Sequence, residues 1–467
     1  MQESSVKKDL LEGSVWKGIL LFALPVFLSN LFQQFYNAVD SLIVGQTLGT
    51  DALAAVSSSG NLIFLFVGFF NGTAMGAGVL ISRYFGSKDY ENMQKAIHTD
   101  IALGLIFSVV LTAAGVLLTP TILTWMNTDE AYFDLAVSYF RVYFSGVAAP
   151  VLYNIAVGIL HAVGDSRHPL YYLIFSSFLN VALDLLFVCV LRLGVGSAAL
   201  ATVLSQTLSA VLCFIRLIRY DTPYRVNVRK IRFYRGMVGK ILHYGLPSGV
   251  QNSVIGFANV IVQSNINTFG EIATAGYGVY IKLEGFAFLP ITCFSVALST
   301  FIGQNLGAGQ HARAKRGARF GILCSISLAE VIGLILYFAA PFFMALFVND
   351  EDPEKVRQVI EIGVKQAHTE AFFYFLLAFA HCVAGIFRGA GKPVVPMAIM
   401  LGVWCVLRVG YIELMMLLMN KGVIPTDIVA IYWAYPLTWA ISSVIFLIYL
   451  LASDWVHGFD RKKGHIA

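Results

Sequence analysis

The sequence has few charged residues, and this sets its class. Only 13% of its 467 residues are charged, while 58% are hydrophobic and the mean hydropathy is +0.74. That composition excludes an ordinary water-soluble domain. The six cysteines form no CxxC pair and no metal-like spacing with histidine, which favours a packing role. There is also no Rossmann or P-loop motif, no nucleophile–base pattern and no HExxH motif, which argues against an enzyme and against direct use of ATP.

Apolar stretches that are long enough to cross a bilayer recur along the whole chain. Backbone polar groups in lipid must be satisfied within the segment, so we predict an all-α membrane protein. The predicted spans, numbered 1 to 12 below, are residues 17–45, 52–81, 98–119, 135–160, 170–191, 197–217, 241–268, 273–302, 318–344, 366–387, 394–419 and 428–452.

Basic side chains are distributed unevenly between the predicted loops. If the N-terminus lies inside, 24 of the 32 Lys and Arg residues fall in inner loops and six in outer loops, while Lys282 and Arg408 lie within spans. The positive-inside rule then predicts that both termini lie in the cytoplasm. The basic stretch between Arg216 and Lys240 is interpreted as an orientation signal and linker, rather than a lipid-headgroup or nucleic-acid site.

The chain contains an internal repeat. Residues 48–89 align with 269–310 without a gap, and "GILHAVGDSRHP" at 158–169 corresponds to "GIFRGAGKPVVP" at 385–396. Each half therefore holds six spans in the same order and orientation, which is typical of a parallel repeat related by a pseudo-two-fold axis. We predict an N-lobe at 1–218, a cytoplasmic linker at 219–238 and a C-lobe at 239–467.

Polar residues occur at similar depth in several spans of the N-lobe. Span 5 carries "NVALDLLFV", with Asn180 one helical turn before Asp184, and Asp184 lies roughly 22 Å from the inner end. Asp40, Thr202 and Tyr139 reach comparable depth on spans 1, 6 and 4. Two close carboxylates cannot both stay ionised without a cation, so they share a proton or bind one. The alternative is a hydrogen-bonded clamp between spans 1, 5 and 6.

Over its whole length the sequence resembles the multidrug and toxic compound extrusion (MATE) family of secondary transporters. The resemblance rests on "YNAVDSLIVG" ending the proline-bearing span 1, "GAGVLISRYFGSKD" after span 2, "NVALDLLFV", and the paired turns above. Within the family it looks like the bacterial members, including the DinF-like group, that keep their coupling carboxylates in the N-lobe. It implies alternating-access export of amphipathic, often cationic small organic compounds, such as drugs, dyes or metabolites, with inward flow of H⁺ or Na⁺ and without a cofactor.

The resemblance also implies roles for individual residues. It places the coupling-cation site, including a possible Na⁺, on Asp40, Asn180, Asp184 and Thr202. Tyr139 and Tyr36 are expected to support this network, and Pro25 to kink span 1. The candidates for lining a substrate cavity are Gln34, Asn37, Asn154 and Glu284.

The C-lobe has no copy of this site, because Leu407 and Tyr411 stand where Asn180 and Asp184 stand in the N-lobe. Some family members use acids on spans 7 and 10 instead, but Glu370 is expected near an end of span 10. Whether the other polar residues form a second site stays open, as does pairing of the acids with Lys282 or Arg408; these residues are Glu284, Glu330, His381, Arg408 and Glu413.

Two further interpretations complete the sequence prediction. A flippase for lipid-linked precursors, from the same superfamily, is the alternative function. It should show several basic residues in its spans, and here only Lys282 and Arg408 lie within spans. The expected partners are small substrates and membrane lipids, without nucleic acid, and we expect a monomer.

Overall fold

The computed structural model describes residues 10–125, 128–348 and 352–457, and all the regular structure in these ranges is helical. The first six spans are Val15–Leu48; Thr50–Gly86; Tyr90–Trp125; Phe133–Ser145 with Ala148–Ala162; Arg167–Asp184 with the π-helix Leu185–Val190; and Val195–Arg219. The last six are Met237–Asn267; Glu271–Gly307; His311–Ala345; Pro353–Glu370 with Ala371–Phe373 and Tyr374–Gly389; Val394–Met400 with the π-helix Leu401–Leu407 and Arg408–Asn420; and Val429–Tyr432 with Ala434–Ala452.

These helices suit a multi-pass membrane protein. Among the described residues, nine helices are long and apolar enough to cross a membrane, and the bent helix pair of span 4 makes a tenth. The helices of spans 2 and 7 have 37 and 31 residues, more than the roughly 20 that a crossing requires. The predicted all-α fold with twelve spans is therefore confirmed.

Several helices extend well beyond their predicted ends. Span 3 begins at Tyr90 instead of residue 98, and span 10 begins at Pro353 instead of residue 366. The added turns are polar, and hydropathy detects only the apolar part of a helix. At Pro353 the start is set by local chemistry, because the Asp352 carboxylate accepts a hydrogen bond from the Glu354 backbone N–H at 2.9 Å and proline suits the first helical position.

The irregular features of the helices follow the sequence repeat. Spans 4 and 10 are both broken near their middle, and spans 5 and 11 both contain a π-helical turn. Gly49 and Gly270, which precede spans 2 and 8, have positive φ angles of 89° and 98°, which favour glycine. These irregular features therefore recur in both halves, whereas span 12 is divided into two helices and its counterpart, span 6, is continuous.

The chain forms two compact units. The first unit includes Leu20–Ser253 and Gly303–Gly309, and the second includes Val254–Ile302 and the chain from Gln310 onward. Within the first unit, glycines allow backbones to touch. A Cβ atom on Gly86 would collide with the Gln304 carbonyl, and one on Gly307 with the Arg83 carbonyl, so these helix ends approach as closely as only small residues permit.

The basic linker after span 6 packs against the start of span 3. The Gln94 side chain donates to the Arg225 carbonyl at 3.0 Å, and the Asn227 backbone N–H donates to His98 Nε2 at 3.0 Å. Val226 is buried. The linker is therefore part of the first unit, held by hydrogen bonds to the helix.

A compact ion cluster closes the turn between spans 4 and 5. His168 Nδ1 donates to the Asp165 carboxylate at 2.7 Å, and Arg216 Nε lies 3.9 Å from the same carboxylate. Burial opposes ionisation of Asp165. The hydrogen bond from His168 and the charge of Arg216 outweigh it, and the pKa of Asp165 lies below its usual value. The ionised form therefore stabilises this turn.

Replacing Asp165 with Asn should lower the thermal stability of the purified protein, by about 1–3 kcal/mol at neutral pH, because the buried Arg216 loses its counter-charge. A group whose pKa is depressed by folding stabilises above its unfolded pKa and loses that effect as the pH falls through its folded pKa. The difference between Asp165→Asn and wild type should therefore shrink on acidification. Melting curves over a pH series measure it, and a pH-independent difference would contradict the cluster.

Candidate ion-coupling site

Two of the predicted site residues lie at an irregular point of span 5. Asp184 is the last residue of the α-helix Arg167–Asp184, directly before the π-helix Leu185–Val190. Such π-turns interrupt the regular hydrogen-bond ladder and occur often at functional sites. Asp184 is 0% exposed and Asn180 is 1% exposed. Both side chains therefore point into the first unit and away from its surface.

The polar atoms of these two side chains are buried without partners. Both carboxylate oxygens of Asp184, and both the oxygen and the nitrogen of the Asn180 amide, have no hydrogen-bond partner among the described residues. An unpaired buried carboxylate costs several kcal/mol, so it is retained only where something else neutralises it. The hydrogen-bonded clamp, the alternative from the sequence, predicts partners for these atoms, and the described residues supply none.

Asp40 faces the same region from span 1. It is 7% exposed, and its Oδ1 atom has no hydrogen-bond partner among the described residues. Asp40 and Asp184 are close enough to interact electrostatically, and buried Tyr139 is close enough to interact with both. The structure therefore brings together the two acids and the tyrosine that the sequence assigned to similar depth.

Thr202 and Tyr36 complete the predicted set. Thr202 is half-buried on span 6, which packs against span 5, and its hydroxyl donates to the Ala198 carbonyl at 3.2 Å. That bond uses the hydroxyl hydrogen and leaves the oxygen able to accept. Tyr36, one turn before Asp40, is buried and close enough to interact with it electrostatically.

Sequence reasoning missed Gln206. Its side-chain nitrogen donates to the Tyr36 hydroxyl at 3.0 Å, and its Oε1 atom is buried without a partner among the described residues. Gln206 lies one helical turn after Thr202 on the same face of span 6. This spacing from Thr202 is the feature of the sequence that could have identified Gln206. The glutamine links span 6 to the tyrosine beside Asp40.

No contact with the Asp40–Asp184 pair is recorded for the remaining predicted residues of the N-lobe. The helix of span 1 runs without a break through Pro25, and the Ser29 hydroxyl donates to the Pro25 carbonyl at 2.9 Å. Gln34 is half-buried and Asn37 is exposed. The Asn154 amide donates to the carbonyl of Pro150 at 2.8 Å. Their assignment to a substrate cavity stays a prediction.

Comparison with known proteins places the chain in a family. The family model MatE matches residues 25–186 and again residues 247–412, which together make up more than half of the sequence. The chain belongs to the multidrug and toxic compound extrusion (MATE) family of membrane transporters. The two matched segments correspond to the two halves of the repeat, and the first contains Asp40, Asn180 and Asp184.

Relatives of this MATE protein match it over most of its length. It is 27% identical over 452 residues to the probable multidrug resistance protein YoeA of Bacillus subtilis, covering 95% of both chains. It is 28% identical over 384 residues to the probable multidrug resistance protein YpnP of the same organism, covering 82% of this chain and 84% of the relative. A MOP superfamily transporter from Pyrococcus furiosus shares the fold, with a TM-score of 0.88 and 21% identity over 96% of this chain and 98% of the other.

The second unit holds a buried charged cluster that includes Glu370. The prediction that Glu370 lies near an end of span 10 is wrong. Span 10 runs over 37 residues from Pro353 to Gly389, and Glu370 ends its first helix, in the middle of the span and 0% exposed. The hydropathy window missed the polar first helix and so misplaced the start of the span.

Glu370 shares this cluster with Glu284 and Arg408. The three groups are close enough to interact electrostatically, and both Glu284 and Arg408 are buried. Gln366 donates to Glu370 at 2.9 Å, and Arg408 donates to the Thr438 hydroxyl at 2.9 Å. Arg408 therefore lies within electrostatic range of both glutamates, but among the described residues it forms no direct ion pair with Glu284, so that pairing stays a prediction.

The other polar residues of the C-lobe spans lie outside this cluster. Lys282 is exposed, and Glu413 is exposed and accepts a hydrogen bond from Asn265 at 3.1 Å. His381 packs against Phe288 and Trp404, with ring centroids 5.7 Å and 5.4 Å away. A packing role for His381 therefore accounts for its position. Glu330 is half-buried on span 9.

The cluster predicts an asymmetric response to mutation. Arg408→Met leaves two buried glutamates without their nearby positive charge, so it should destabilise the second unit by about 3–5 kcal/mol. Both carboxyl groups must then be protonated to stay buried, so the loss should diminish as the pH is lowered. Thermal unfolding in detergent measures both effects.

Lys282→Met is the matched control, because this lysine is exposed on the same span as Glu284. It should melt close to wild type. Equal melting points for the Arg408 and Lys282 variants would contradict a role for Arg408 in balancing the glutamates.

Proposed function

We propose that this protein is a cation-coupled antiporter that exports amphipathic, mainly cationic small organic compounds across a bacterial cytoplasmic membrane. Its membership of the MATE family and the multidrug resistance proteins among its relatives support an exporter of this kind. The inner loops carry most of the Lys and Arg residues, which supports cytoplasmic termini.

The observation that carries the proposal is the buried pair Asp40 and Asp184. Both acids have carboxylate oxygens without a partner among the described residues, and they repel each other when ionised. A bound cation, or a proton on one acid, removes this repulsion. The occupancy of the site therefore changes the force between spans 1 and 5, which a coupled transporter requires for alternating access.

The donor set fits both candidate coupling ions. Na⁺ would be held by carboxylate oxygens of Asp40 and Asp184, the amide oxygen of Asn180 and the hydroxyl of Thr202, which are all hard oxygen donors. A proton would be held on either aspartate, with Tyr139 close enough to interact with both. In either case the ion adds the positive charge that the site itself lacks.

A flippase for lipid-linked precursors is less well supported. Such a protein needs cationic side chains that are available to bind a pyrophosphate group. Arg408 is engaged by the Thr438 hydroxyl and lies close to Glu284 and Glu370. Lys282 is the other basic residue that was predicted within a span, and one lysine makes a weak phosphate site. An exporter of organic compounds needs no such cluster.

Efflux from proteoliposomes tests the proposal. Purified protein should export ethidium or norfloxacin when a pH gradient or a sodium gradient is imposed separately, and the gradient that supports efflux identifies the coupling ion. Asp184→Asn should reduce coupled efflux by about a hundredfold or more, since the amide carries no charge and cannot release a proton. Asp134→Asn, at an exposed acid of span 4, is the matched control and should behave as wild type.

Two results would contradict the proposal. If wild-type protein exports neither compound under either gradient, the proposed antiport function is wrong. If Asp184→Asn retains full coupled efflux, the antiport function stands and the assignment of the coupling site to Asp184 is wrong.

A further inference from the structure

A third acid is buried in the first unit, apart from the Asp40–Asp184 pair. Asp100 lies on span 3 and is 4% exposed. Among the described residues it has no hydrogen-bond or ion-pair partner, and no charged group is close enough to interact with it electrostatically. An intramembrane acid without a structural partner is a functional group by default, because its ionised form is costly there.

Asp100 faces a small cavity between spans 2, 3 and 4. The cavity is lined by apolar groups, including Leu103, Phe107 and Ile155, and apart from Asp100 the Thr73 hydroxyl is its one polar side-chain group among the described residues. That hydroxyl already donates to the Phe69 carbonyl at 3.0 Å. The space open to the centre of a water-sized sphere is about 10 Å³, roughly enough for one water molecule.

The volume and the lining of the cavity limit which ligands it can hold. An organic substrate needs a pocket of roughly 300 Å³ or more, so none fits here. A metal cation needs several oxygen ligands, and the described lining offers one carboxylate and one hydroxyl. A single carboxyl group beside space for one water suits a proton.

The titratable groups on the elements around Asp100 include His98 on the same helix, Tyr153 on span 4, and Lys230 and Tyr234 in the linker. His98 is held neutral by its contacts, since Nε2 accepts from the Asn227 backbone N–H and Nδ1 therefore donates to the Gln94 carbonyl at 2.6 Å. None of these four groups interacts electrostatically with Asp100.

The position of Asp100 complements that of the Asp40–Asp184 pair. Asp100 lies about 15 Å from the Tyr90 end of its helix, which the charge distribution places inside, whereas Asp40 lies about 12 Å from the opposite, outer end of span 1. Tyr36 is close enough to interact with both Asp40 and Tyr153. Tyr153 lies on span 4 between Val151 and Ile155, which line the cavity, and its own side chain is not part of the lining. Buried hydroxyls therefore extend from the pair as far as the helix that borders the cavity.

We propose that Asp100 is a second protonation site of the first unit, which accepts the proton that leaves the Asp40–Asp184 pair and releases it to the cytoplasm. In this step an O–H bond of the pair breaks, an O–H bond forms on Asp100, and one negative charge moves in the opposite direction. Release to water on the inner side then restores the Asp100 carboxylate. The inference rests on the proposed function with H⁺ as the coupling ion.

Infrared difference spectroscopy tests protonation without relying on transport. A protonated carboxyl group has a C=O stretching band that a carboxylate lacks, and no reagent has to enter the cavity. In wild-type proteoliposomes the spectrum should contain such a band that is missing from Asp100→Asn and is retained in Asp134→Asn, and the band should decline as the pH is raised from mildly acidic to alkaline. Identical spectra for wild type and Asp100→Asn at every pH would overturn the proposal.

Transport by matched variants separates this inference from the proposed function. Asp100→Asn should slow efflux driven by a pH gradient about tenfold or more while ethidium affinity stays at the wild-type value, and Asp100→Glu should restore most of the rate. Asp134→Asn is again the control. If wild type responds to the pH gradient and Asp100→Asn matches its rate and pH profile, only the role of Asp100 fails. If wild type does not respond, H⁺ coupling itself fails.

Discussion

A carboxylate in the apolar interior of a membrane span must find a proton, a cation or an ion-pair partner, and this requirement governs every charged site in the protein. The first unit leaves Asp40 and Asp184 close together, with carboxylate oxygens that have no hydrogen-bond partner among the described residues, and a proton or a cation would be stabilised there. The second unit places Arg408 beside Glu284 and Glu370, which supplies one positive charge from the chain itself. The two halves of the repeat therefore differ in how a buried carboxylate is accommodated: two acids lie together in the first unit, and an arginine lies beside two acids in the second.

The local fold places these groups where the helix is irregular. Asp184 directly precedes a π-helical turn, and Glu370 ends a helix at the break within span 10. Breaks of this kind free backbone groups and turn side chains away from the regular helical face, which lets a polar residue sit deep inside a packed unit. The breaks of spans 4 and 10 and the π-helical turns of spans 5 and 11 recur in both halves, but the buried acids stand at the π-helical turn of span 5 and at the break of span 10.

Hydrogen bonds also hold the part of the first unit where span 3 begins. The linker after span 6 is hydrogen-bonded to the start of span 3 through His98 and Gln94, two turns or less before Asp100. The Asp165 cluster fixes the neighbouring turn between spans 4 and 5. The linker, whose charge pattern indicates orientation, therefore also has a structural role at the start of span 3.

The sequence by itself determined the class, the twelve spans and the repeat, and it predicted Asp40, Asn180 and Asp184 as site residues, because apolar length and a polar residue within it are local properties of the chain. It could not place Glu370, since a polar helix joined end to end with an apolar one looks like a loop to a hydropathy window. Nor could it find Gln206 or Asp100, which has no partner among the described residues, since the roles of both depend on neighbours from other spans. Which buried groups meet, and which are left without partners, was decided by the packing of helices far apart in sequence.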